Sequence, residues 1–242
     1  MNQTVIITGS SRGIGRSIAL SFAVAGWNVV INGCHNQAAL EETKQEIEKL
    51  GVNCLSFLGD VGNYEFVSTI IEETKNTFGG IDVLINNAGI ASIGLLQDLS
   101  PSKWEELLST NLSSVFYSCK QVIPIMLSQK AGHIINISSV WGQFGASCEV
   151  AYSATKGAID SFTKALAKEL APSNIQVNAI SLGMIDTEMN HCFSSEEVAA
   201  LEEEIPMGRM GTPKEVGDFV FQIATASSYL TGQIIRFDGG WM

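Results

Sequence analysis

Residues 4–15 are Thr-Val-Ile-Ile-Thr-Gly-Ser-Ser-Arg-Gly-Ile-Gly, an apolar strand pattern that runs directly into a glycine-rich turn, and the helical pattern Arg16–Ala25 follows. Glycines let a backbone approach a pyrophosphate closely, and a helix N-terminus offers free N–H groups with a partial positive charge. The spacing Gly-x-x-x-Gly-x-Gly differs from the commoner Gly-x-Gly-x-x-Gly fingerprint, so an ordinary strand-to-helix turn remains an alternative. The expected anion contacts are Gly9, Ser11, Arg12, Gly13, Ile14 and Gly15.

Short β-branched runs alternate with longer amphipathic patterns along the whole 242-residue chain. This alternation predicts an α/β fold, a single Rossmann-type doubly wound domain in which a seven-stranded parallel sheet carries helices on both faces. We find no repeat or flexible linker, so residues 1–242 are interpreted as one domain. The predicted strands are Thr4–Thr8, Asn28–Asn32, Asn53–Leu58, Ile81–Asn86, His133–Ser138, Ile175–Ile180 and Gln233–Phe237.

The composition excludes several classes of function. The chain has 14 Lys and Arg residues against 25 Asp and Glu residues, a net charge of −11, which argues against nucleic acid as a partner. The mean hydropathy of +0.20 is high, yet no apolar run is long enough to span a membrane, so no membrane partner is expected. The five cysteines lack metal-ligand spacing, and no metal site is expected. The strand pattern begins too early for a signal peptide, which favours the reducing cytoplasm.

One segment interrupts the alternation of strands and helices. About thirty residues separate the strand ending near Ile180 from the helix beginning near Pro213. Ligands of open α/β sheets bind outside the carboxyl ends of the strands, so an insertion there can cover a substrate. We therefore interpret residues 184–212 as a substrate lid, and a solvated helical excursion without a gating role is the alternative.

The end of the second strand bears on which dinucleotide would bind. Sites that prefer NAD carry an acidic residue there for the ribose 2′-hydroxyl. This chain has Asn32-Gly33-Cys34-His35-Asn36 instead, and Arg12 in the glycine loop can meet a 2′-phosphate. The sequence thus favours NADP(H) over NAD(H).

A tyrosine and a lysine, Tyr152 and Lys156, lie four residues apart in a helical pattern and share one helix face. A phenol is a weak acid-base group at neutral pH, and a neighbouring lysine charge is expected to lower its pKa. Ser139 follows an apolar strand upstream and can hydrogen-bond a substrate oxygen. A Tyr-x-x-x-Lys pair alone is also common on solvated helix faces.

Together these segments resemble the classical short-chain dehydrogenase/reductase family across essentially the whole chain. The matching pieces, in order, are Thr8–Gly15, Asp60-Val61, Asn86-Asn87-Ala88-Gly89, Asn111, Ser139, Tyr152-x-x-x-Lys156 and Gly232-Gln233 with Asp238-Gly239-Gly240. Within the family the chain is most similar to the 3-oxoacyl-[acyl-carrier-protein] reductase group, through Ser-Ser-Arg in the glycine loop and residues 207–211.

The resemblance implies a role for each matched residue. Tyr152 would be the general acid in carbonyl reduction, Lys156 would lower its pKa and hold the nicotinamide ribose, and Ser139 would orient the carbonyl. Asn111 would kink its helix and hold a water that links Lys156 to solvent. The remaining cofactor contacts would be Asp60, Val61, Asn87, Ala88, Gly89, Gly183, Ile185 and Thr187. Asp60 as a simple helix N-cap is the alternative for that residue.

The substrate is less well defined by the sequence. Trp141, Phe144, Met184, Met189 and Phe193 are expected to overhang the cleft, although core packing is an equal alternative for each. An apolar cleft suits a 3-oxoacyl thioester, a hydroxysteroid or another secondary alcohol, and a non-catalytic dinucleotide sensor is the alternative of another class.

Several departures from the family's pattern, together with the charge, complicate the choice of substrate. Leu182-Gly183 replaces the usual Pro-Gly, no arginine stands near Ser173-Asn174, and Glu149 places a charge close to the site. Carrier proteins are acidic, so the net charge of −11 counts against one as an obligatory substrate. The resemblance and the apolar ending Phe237–Met242 imply a homotetramer.

Overall fold

A computed structural model describes residues 2–190 and 194–242. Its centre is an all-parallel seven-stranded sheet in the order β3-β2-β1-β4-β5-β6-β7. The doubly wound α/β fold predicted from the sequence is therefore confirmed. The strands are β1 (Thr4–Ile7), β2 (Asn28–Gly33), β3 (Cys54–Leu58), β4 (Val83–Asn86), β5 (Gly132–Ser139), β6 (Ile175–Leu182) and β7 (Ile234–Phe237).

Helices cover both faces of the sheet. Helices α1, α2 and α9 pack on one face around Ile7, Phe22 and Val216, and α3, α5 and α7 pack on the other around Ile6 and Val122. The helices are α1 (Gly13–Val24), α2 (Gln37–Lys49), α3 (Tyr64–Phe78), α4 (Pro101–Leu108), α5 (Ser114–Gln129), α6 (Trp141–Phe144), α7 (Val150–Leu170), α8 (Ser195–Glu204) and α9 (Pro213–Ala224).

The central strands are apolar on both sides because both sides are covered. Every residue of β1, β2, β4 and β6 is buried. This explains the high mean hydropathy of a chain whose described helices include none with the length and apolar character needed to cross a bilayer.

The observed bounds differ most from the predicted ones where strands approach the site. β5 and β6 each continue past the predicted ends, and Ser139 pairs with Leu182 in the sheet. Ser139 is thus the last residue of a buried strand and not a loop residue, so its position is fixed by the sheet.

The segment between β6 and α9 contains a short 3₁₀ turn, Glu188–Asn190, and helix α8. Ser194 caps α8 in a capping box with Glu197. Ile185 forms an isolated parallel bridge with Gly211, which closes the base of the segment. His191, Cys192 and the proposed cleft residue Phe193 lie outside the described residues.

Candidate active site

A cleft of about 1250 Å³ opens at the carboxyl ends of the strands. It lies where the strand order changes direction, between β1 and β4, which is the usual ligand position in such sheets. The glycine loop forms one end of the cleft and the face of α7 forms the other. Both predicted functional regions therefore lie on one continuous cavity.

The glycine loop takes a shape that side chains would prevent. Gly9 and Gly13 have φ values of +62° and +55°, in the left-handed region. A Cβ on Gly15 would collide with the carbonyl oxygen of Gly9. Arg12 is the N-cap of α1, and its side chain makes no cap hydrogen bond to the start of the helix. The loop thus offers open backbone N–H groups at the end of a helix, which suits a pyrophosphate.

Two asparagines brace this loop from the neighbouring strands. The Gly9 N–H donates to Asn32 Oδ1 at 3.2 Å, from the end of β2. Asn87 Nδ2 donates to the carbonyl oxygens of Thr8 and Gly9 at 2.9 and 2.8 Å. Asn87 thus holds the loop in addition to lining the cleft with Ala88 and Gly89.

Asp60 and Val61 follow β3 and line the adjoining wall of the cleft. Asp60 Oδ1 accepts a hydrogen bond of 2.7 Å from the Gly62 N–H. The N-cap of α3 is Asn63, so Asp60 is not a helix cap and the structural alternative for it is wrong.

Arg12 points across the mouth of the cleft. Its Nη1 lies 2.6 Å from Glu188 Oε2, and the two side chains are 63% and 61% exposed. Glu188 belongs to the segment after β6, so this ion pair joins the glycine loop to the start of the expected lid. Because the pair is exposed, it contributes little to stability.

The segment that follows β6 returns to the glycine loop. Gly183 packs tightly against Asp238, where a Cβ would approach the Asp238 Cα to 2.8 Å. Leu182, which stands in place of a proline, pairs with Phe237 of β7, so the sheet restrains this turn. Thr187 faces Gly13, and both residues line the cleft with Ile185.

Ser139, Tyr152 and Lys156 meet at the other end of the cleft. Ser139 and Tyr152 both line this end, and the Ser139 hydroxyl acts on the Tyr152 phenol to lower its pKa. Lys156 Nζ donates to the Ile137 carbonyl oxygen at 2.8 Å and lies 5.5 Å from the centre of the Tyr152 ring. Helix α7 and strand β5 thus bring the phenol, the ammonium and the hydroxyl of the predicted motif together.

Burial governs the proton affinities of this group. Desolvation, the largest cause, and the Glu149 carboxylate together raise the pKa of Tyr152 to about 12, against the opposing effect of the Ser139 hydroxyl. Desolvation lowers the pKa of Lys156 to about 8, and Asp160 opposes that shift. The sequence reasoning expected Lys156 to lower the pKa of Tyr152, whereas here the net shift of that pKa is upward and desolvation is its largest cause.

Asn111 lies beneath the cleft in a π-helical turn, Ser109–Ser113, between α4 and α5. Its Oδ1 accepts from the Ile90 N–H at 2.8 Å, and its Nδ2 donates to the Ile90 carbonyl oxygen at 2.9 Å and to Thr155 Oγ1 at 3.2 Å. Asn111 therefore ties the π-turn to the loop after β4 and to α7. Single π-turns inside helices often occur at functional sites.

The residues proposed for the substrate side separate into two groups. Trp141, Met184 and Met189 line the cleft, as expected. Phe144 does not line it and that prediction is wrong. Its ring is 55% exposed and packs under the Arg236 guanidinium, 5.8 Å away, because α6 turns it outward.

Among the residues in or beside the cleft that the sequence analysis did not assign to the site, Trp241, Glu188 and Asp160 make the most informative contacts. Trp241 lines the cleft and stacks edge-on against Trp141, with ring centres 5.0 Å apart. Glu188 pairs with Arg12, and Asp160 lies buried one turn beyond Lys156. Only Asp160 had a signal in the sequence, since it continues the four-residue spacing of Tyr152 and Lys156 into an apolar helix face.

The residues present fit a dinucleotide. The glycine loop leaves a cradle that a Cβ at Gly15 would fill, and the cleft is large enough to reach from Asp60 to Tyr152. Within residues 2–190 and 194–242, no three His, Cys, Asp or Glu side chains are grouped to hold a metal ion.

Comparison with known proteins agrees with this geometry. A family model described as short chain dehydrogenase matches residues 3–198. The 3-oxoacyl-[acyl-carrier-protein] reductase of Aquifex aeolicus is 41% identical over 97% of this chain and 95% of its own length. An uncharacterized oxidoreductase of Bacillus subtilis, YmfI, is 38% identical over 100% of this chain and 99% of its own length. The 3-oxoacyl-[acyl-carrier-protein] reductase of Staphylococcus epidermidis is 37% identical over 99% of both chains.

Proposed function

The chain belongs to the short-chain dehydrogenase family, as an oxidoreductase acting on CH–OH and C=O groups, and from that premise we propose that it is an NADPH-dependent carbonyl reductase of 3-oxoacyl thioesters. The observation that carries the proposal is that Ser139, Tyr152 and Lys156 line the same cleft as the glycine loop, with Lys156 Nζ 5.5 Å from the centre of the Tyr152 ring. This arrangement supports Tyr152 as the proton donor for a substrate that would share the cleft with a dinucleotide.

When bound, the nicotinamide cofactor supplies the hydride. In our proposal the glycine loop holds its pyrophosphate, Asp60 and Val61 meet the adenine, and Lys156 holds the nicotinamide ribose. The remaining contacts come from Asn87, Ala88, Gly89, Gly183, Ile185 and Thr187. These residues line the cleft from one end to the other, which supports the assignment.

The proton step falls to Tyr152. Ser139 would donate a hydrogen bond to the substrate carbonyl oxygen, and Tyr152 Oη would deliver the proton to that oxygen as the hydride arrives. With the pKa of Tyr152 raised to about 12, the phenol is protonated at neutral pH and ready to act as an acid. With the pKa of Lys156 at about 8, most of the lysine is charged at pH 7 and can stabilise the phenolate left behind. Asn111 would support this path by holding a water that connects Lys156 to solvent.

Arg12 supports NADPH over NADH. The end of β2, Asn32-Gly33-Cys34-His35-Asn36, carries no acidic residue. Asn32 braces the glycine loop there, and Cys34 lines the cleft. In our proposal the Arg12 guanidinium leaves Glu188 and binds the 2′-phosphate, since a charge-assisted bond to a dianion is stronger than an exposed ion pair.

Two observations support an acyl thioester as the substrate. Two of the relatives are named 3-oxoacyl-[acyl-carrier-protein] reductases, and Trp141, Met184 and Trp241 give the cleft apolar walls for an acyl chain. We propose that the substrate is a small acyl thioester and not one attached to a carrier protein, because a net charge of −11 repels an acidic carrier protein at long range. We also propose that the protein acts in the cytoplasm.

The test is one panel with purified protein, in which NADPH and NADH are each offered with acetoacetyl thioesters, steroids, quinones and sugars. Fastest oxidation of NADPH by the acetoacetyl thioester supports the proposal. A steroid turned over much faster would identify a hydroxysteroid dehydrogenase instead, and a higher kcat/KM with NADH would refute the cofactor assignment. Binding of NADPH without turnover of any substrate would indicate a dinucleotide sensor.

We also propose that residues 184–212 form a lid and that the protein is a homotetramer. The Arg12–Glu188 pair supports the lid, since it connects that segment to the cofactor end of the cleft. Cofactor-dependent protection of residues 194–212 from hydrogen exchange would test the lid, and unchanged exchange would contradict it. Light scattering gives the oligomeric state directly, and a monomer mass would contradict the tetramer.

A further inference from the structure

Asp160 is a buried carboxylate that the proposed mechanism does not use. It lies on α7, one turn beyond Lys156, and is 5% exposed. A buried carboxylate is costly unless it is hydrogen-bonded and paired with a cation. The contacts of Asp160 therefore show which groups stabilise its buried carboxylate.

Two side chains from the active-site strand and its following turn bind Asp160. Ser138 Oγ lies 2.6 Å from Asp160 Oδ1, and Ser138 directly precedes Ser139 in β5. The Gln143 side chain also acts on the Asp160 carboxyl and lowers its pKa, and Gln143 belongs to α6, which carries Trp141. Asp160 thus connects the helix of Tyr152 and Lys156 to the segments that carry Ser139 and Trp141.

The backbone packing around these bonds is close. A Cβ on Gly142 would lie 2.7 Å from the Lys156 carbonyl carbon, so α6 and α7 touch through their main chains. Ser138 Oγ is also 3.4 Å from the Lys156 carbonyl oxygen. The bonds to Asp160 therefore fix how far Lys156 stands from the end of β5.

The charge of Asp160 also acts on Lys156, which is 4% exposed. Burial lowers the pKa of Lys156, and the Asp160 carboxylate opposes that shift. Lys164 on α7 also acts on Asp160, and Tyr152, Glu149, Lys103 and Glu106 are titratable residues that line the same cleft as Lys156. From the described parts of β5 and α6, the side chains that reach Asp160 are the uncharged Ser138 and Gln143.

We propose that Asp160 is a positioning residue that keeps Lys156 cationic and holds it at a fixed distance from Ser139 through Ser138 and Gln143. The inference rests on the proposed function, in which a charged Lys156 stabilises the tyrosinate formed when the carbonyl is protonated. In this proposal Asp160 acts through Lys156 and contacts neither the cofactor nor the substrate.

The experiment measures the charge of Lys156 directly in the folded protein. The Lys156 signal of lysine-labelled protein, assigned by its loss in Lys156→Arg, is titrated by NMR in wild type, Asp160→Asn and Ser138→Ala. Asp160→Asn keeps the size and an acceptor oxygen but removes the charge, so the midpoint of Lys156 is expected to fall by about one pH unit. In the same variant, kcat/KM for carbonyl reduction should fall off at correspondingly lower pH.

The other variants separate charge from bonding. Ser138→Ala retains the charge of Asp160, so it should lower kcat with a smaller change in the Lys156 midpoint, and Asp160→Glu should restore most of the wild-type midpoint. Asp98 is an exposed aspartate outside the cleft, so Asp98→Asn is the matched control and should change neither kcat nor the Lys156 midpoint. If Asp160→Asn does not fold, Asp160→Ser is titrated in its place.

An unchanged Lys156 midpoint in the folded Asp160 variant would overturn the proposal. Failure of the wild-type enzyme to reduce any carbonyl would instead refute the proposed function, and the NMR titration would still decide whether Asp160 holds the charge of Lys156. The two failures are therefore distinguishable.

Discussion

The two ends of the cleft are built by different means. The cofactor end is formed mainly by the backbone of the glycine loop, whose shape requires glycine at Gly9, Gly13 and Gly15, and the Arg12 side chain beside it is 63% exposed. The catalytic end is made of side chains from α7 and β5, and its cation, Lys156, is 4% exposed. The first end depends on local geometry, whereas the second depends on burial and on charges brought from distant parts of the chain.

This difference predicts how each end responds to change. A charge at the exposed end is solvated and screened, so its loss should affect affinity for one ligand group and little else. A charge at the buried end sets the proton affinity of its neighbours, so its loss should change rates and their pH dependence.

The largest effect is expected at the catalytic end, for Tyr152→Phe. Loss of the hydroxyl removes the proton donor, and kcat/KM for carbonyl reduction should fall about a thousandfold. The dissociation constant of NADPH, measured by fluorescence titration, should stay close to that of wild type. Tyr229→Phe, at a tyrosine that is 97% exposed, is the matched control. A Tyr152→Phe enzyme with most of its activity would exclude Tyr152 as the acid.

A smaller effect is expected at the cofactor end, for Arg12→Ala. Loss of charge-assisted bonds to the 2′-phosphate should weaken NADPH binding about 10- to 100-fold and leave NADH binding nearly unchanged. Calorimetric titration with both cofactors gives the ratio, with Lys214→Ala as the control for loss of an exposed cation. Equal weakening of both cofactors would show that Arg12 does not recognise the 2′-phosphate.

Glu149→Gln tests the electrostatics of the buried end. The Glu149 carboxylate raises the pKa of Tyr152, so a neutral amide should lower that pKa and allow the phenolate to form at lower pH. Oxidation of the alcohol with NADP⁺, which needs the phenolate as base, should therefore reach its half-maximal rate about half a pH unit lower or more. Glu169→Gln, on the outer face of α7, should leave the profile in place. If the pH profile of alcohol oxidation moved to higher pH in Glu149→Gln, Glu149 would not be raising the pKa of Tyr152.

The smallest effect is expected for Glu188→Gln. It frees Arg12 from an exposed ion pair, so NADPH should bind up to about fivefold more tightly, in line with the small energy of such pairs. Breaking the Lys214 pair with Asp218→Asn is the control and should not change the affinity. Weaker NADPH binding in Glu188→Gln would mean that Glu188 assists the cofactor and does not compete with it.

The sequence predicted the parts that depend on local pattern. The strand and helix periodicities gave the order of the elements, because strands buried on both sides have nearly continuous apolar runs. The glycine loop was predicted for a similar reason, since the positions that need glycine lie within seven residues of each other, Gly9 to Gly15.

The parts that escaped prediction depend on contacts between distant segments. Whether Phe144 faces the cleft is set by the direction in which α6 leaves β5, which no local pattern records. The proton affinity of Tyr152 depends on burial and on Glu149, so the Tyr-x-x-x-Lys spacing predicted its location and not the direction of its pKa shift. The contact of Trp241 with Trp141 joins residues a hundred positions apart.

The most direct test of the account is a single-turnover experiment with an acetoacetyl thioester and NADPH deuterated at its transferable position, analysed by mass spectrometry. Wild type should form a 3-hydroxyacyl thioester that carries the deuterium on the former carbonyl carbon, and Tyr152→Phe should not form it. Unreacted thioester with wild type, or a reduced product without deuterium, would contradict it.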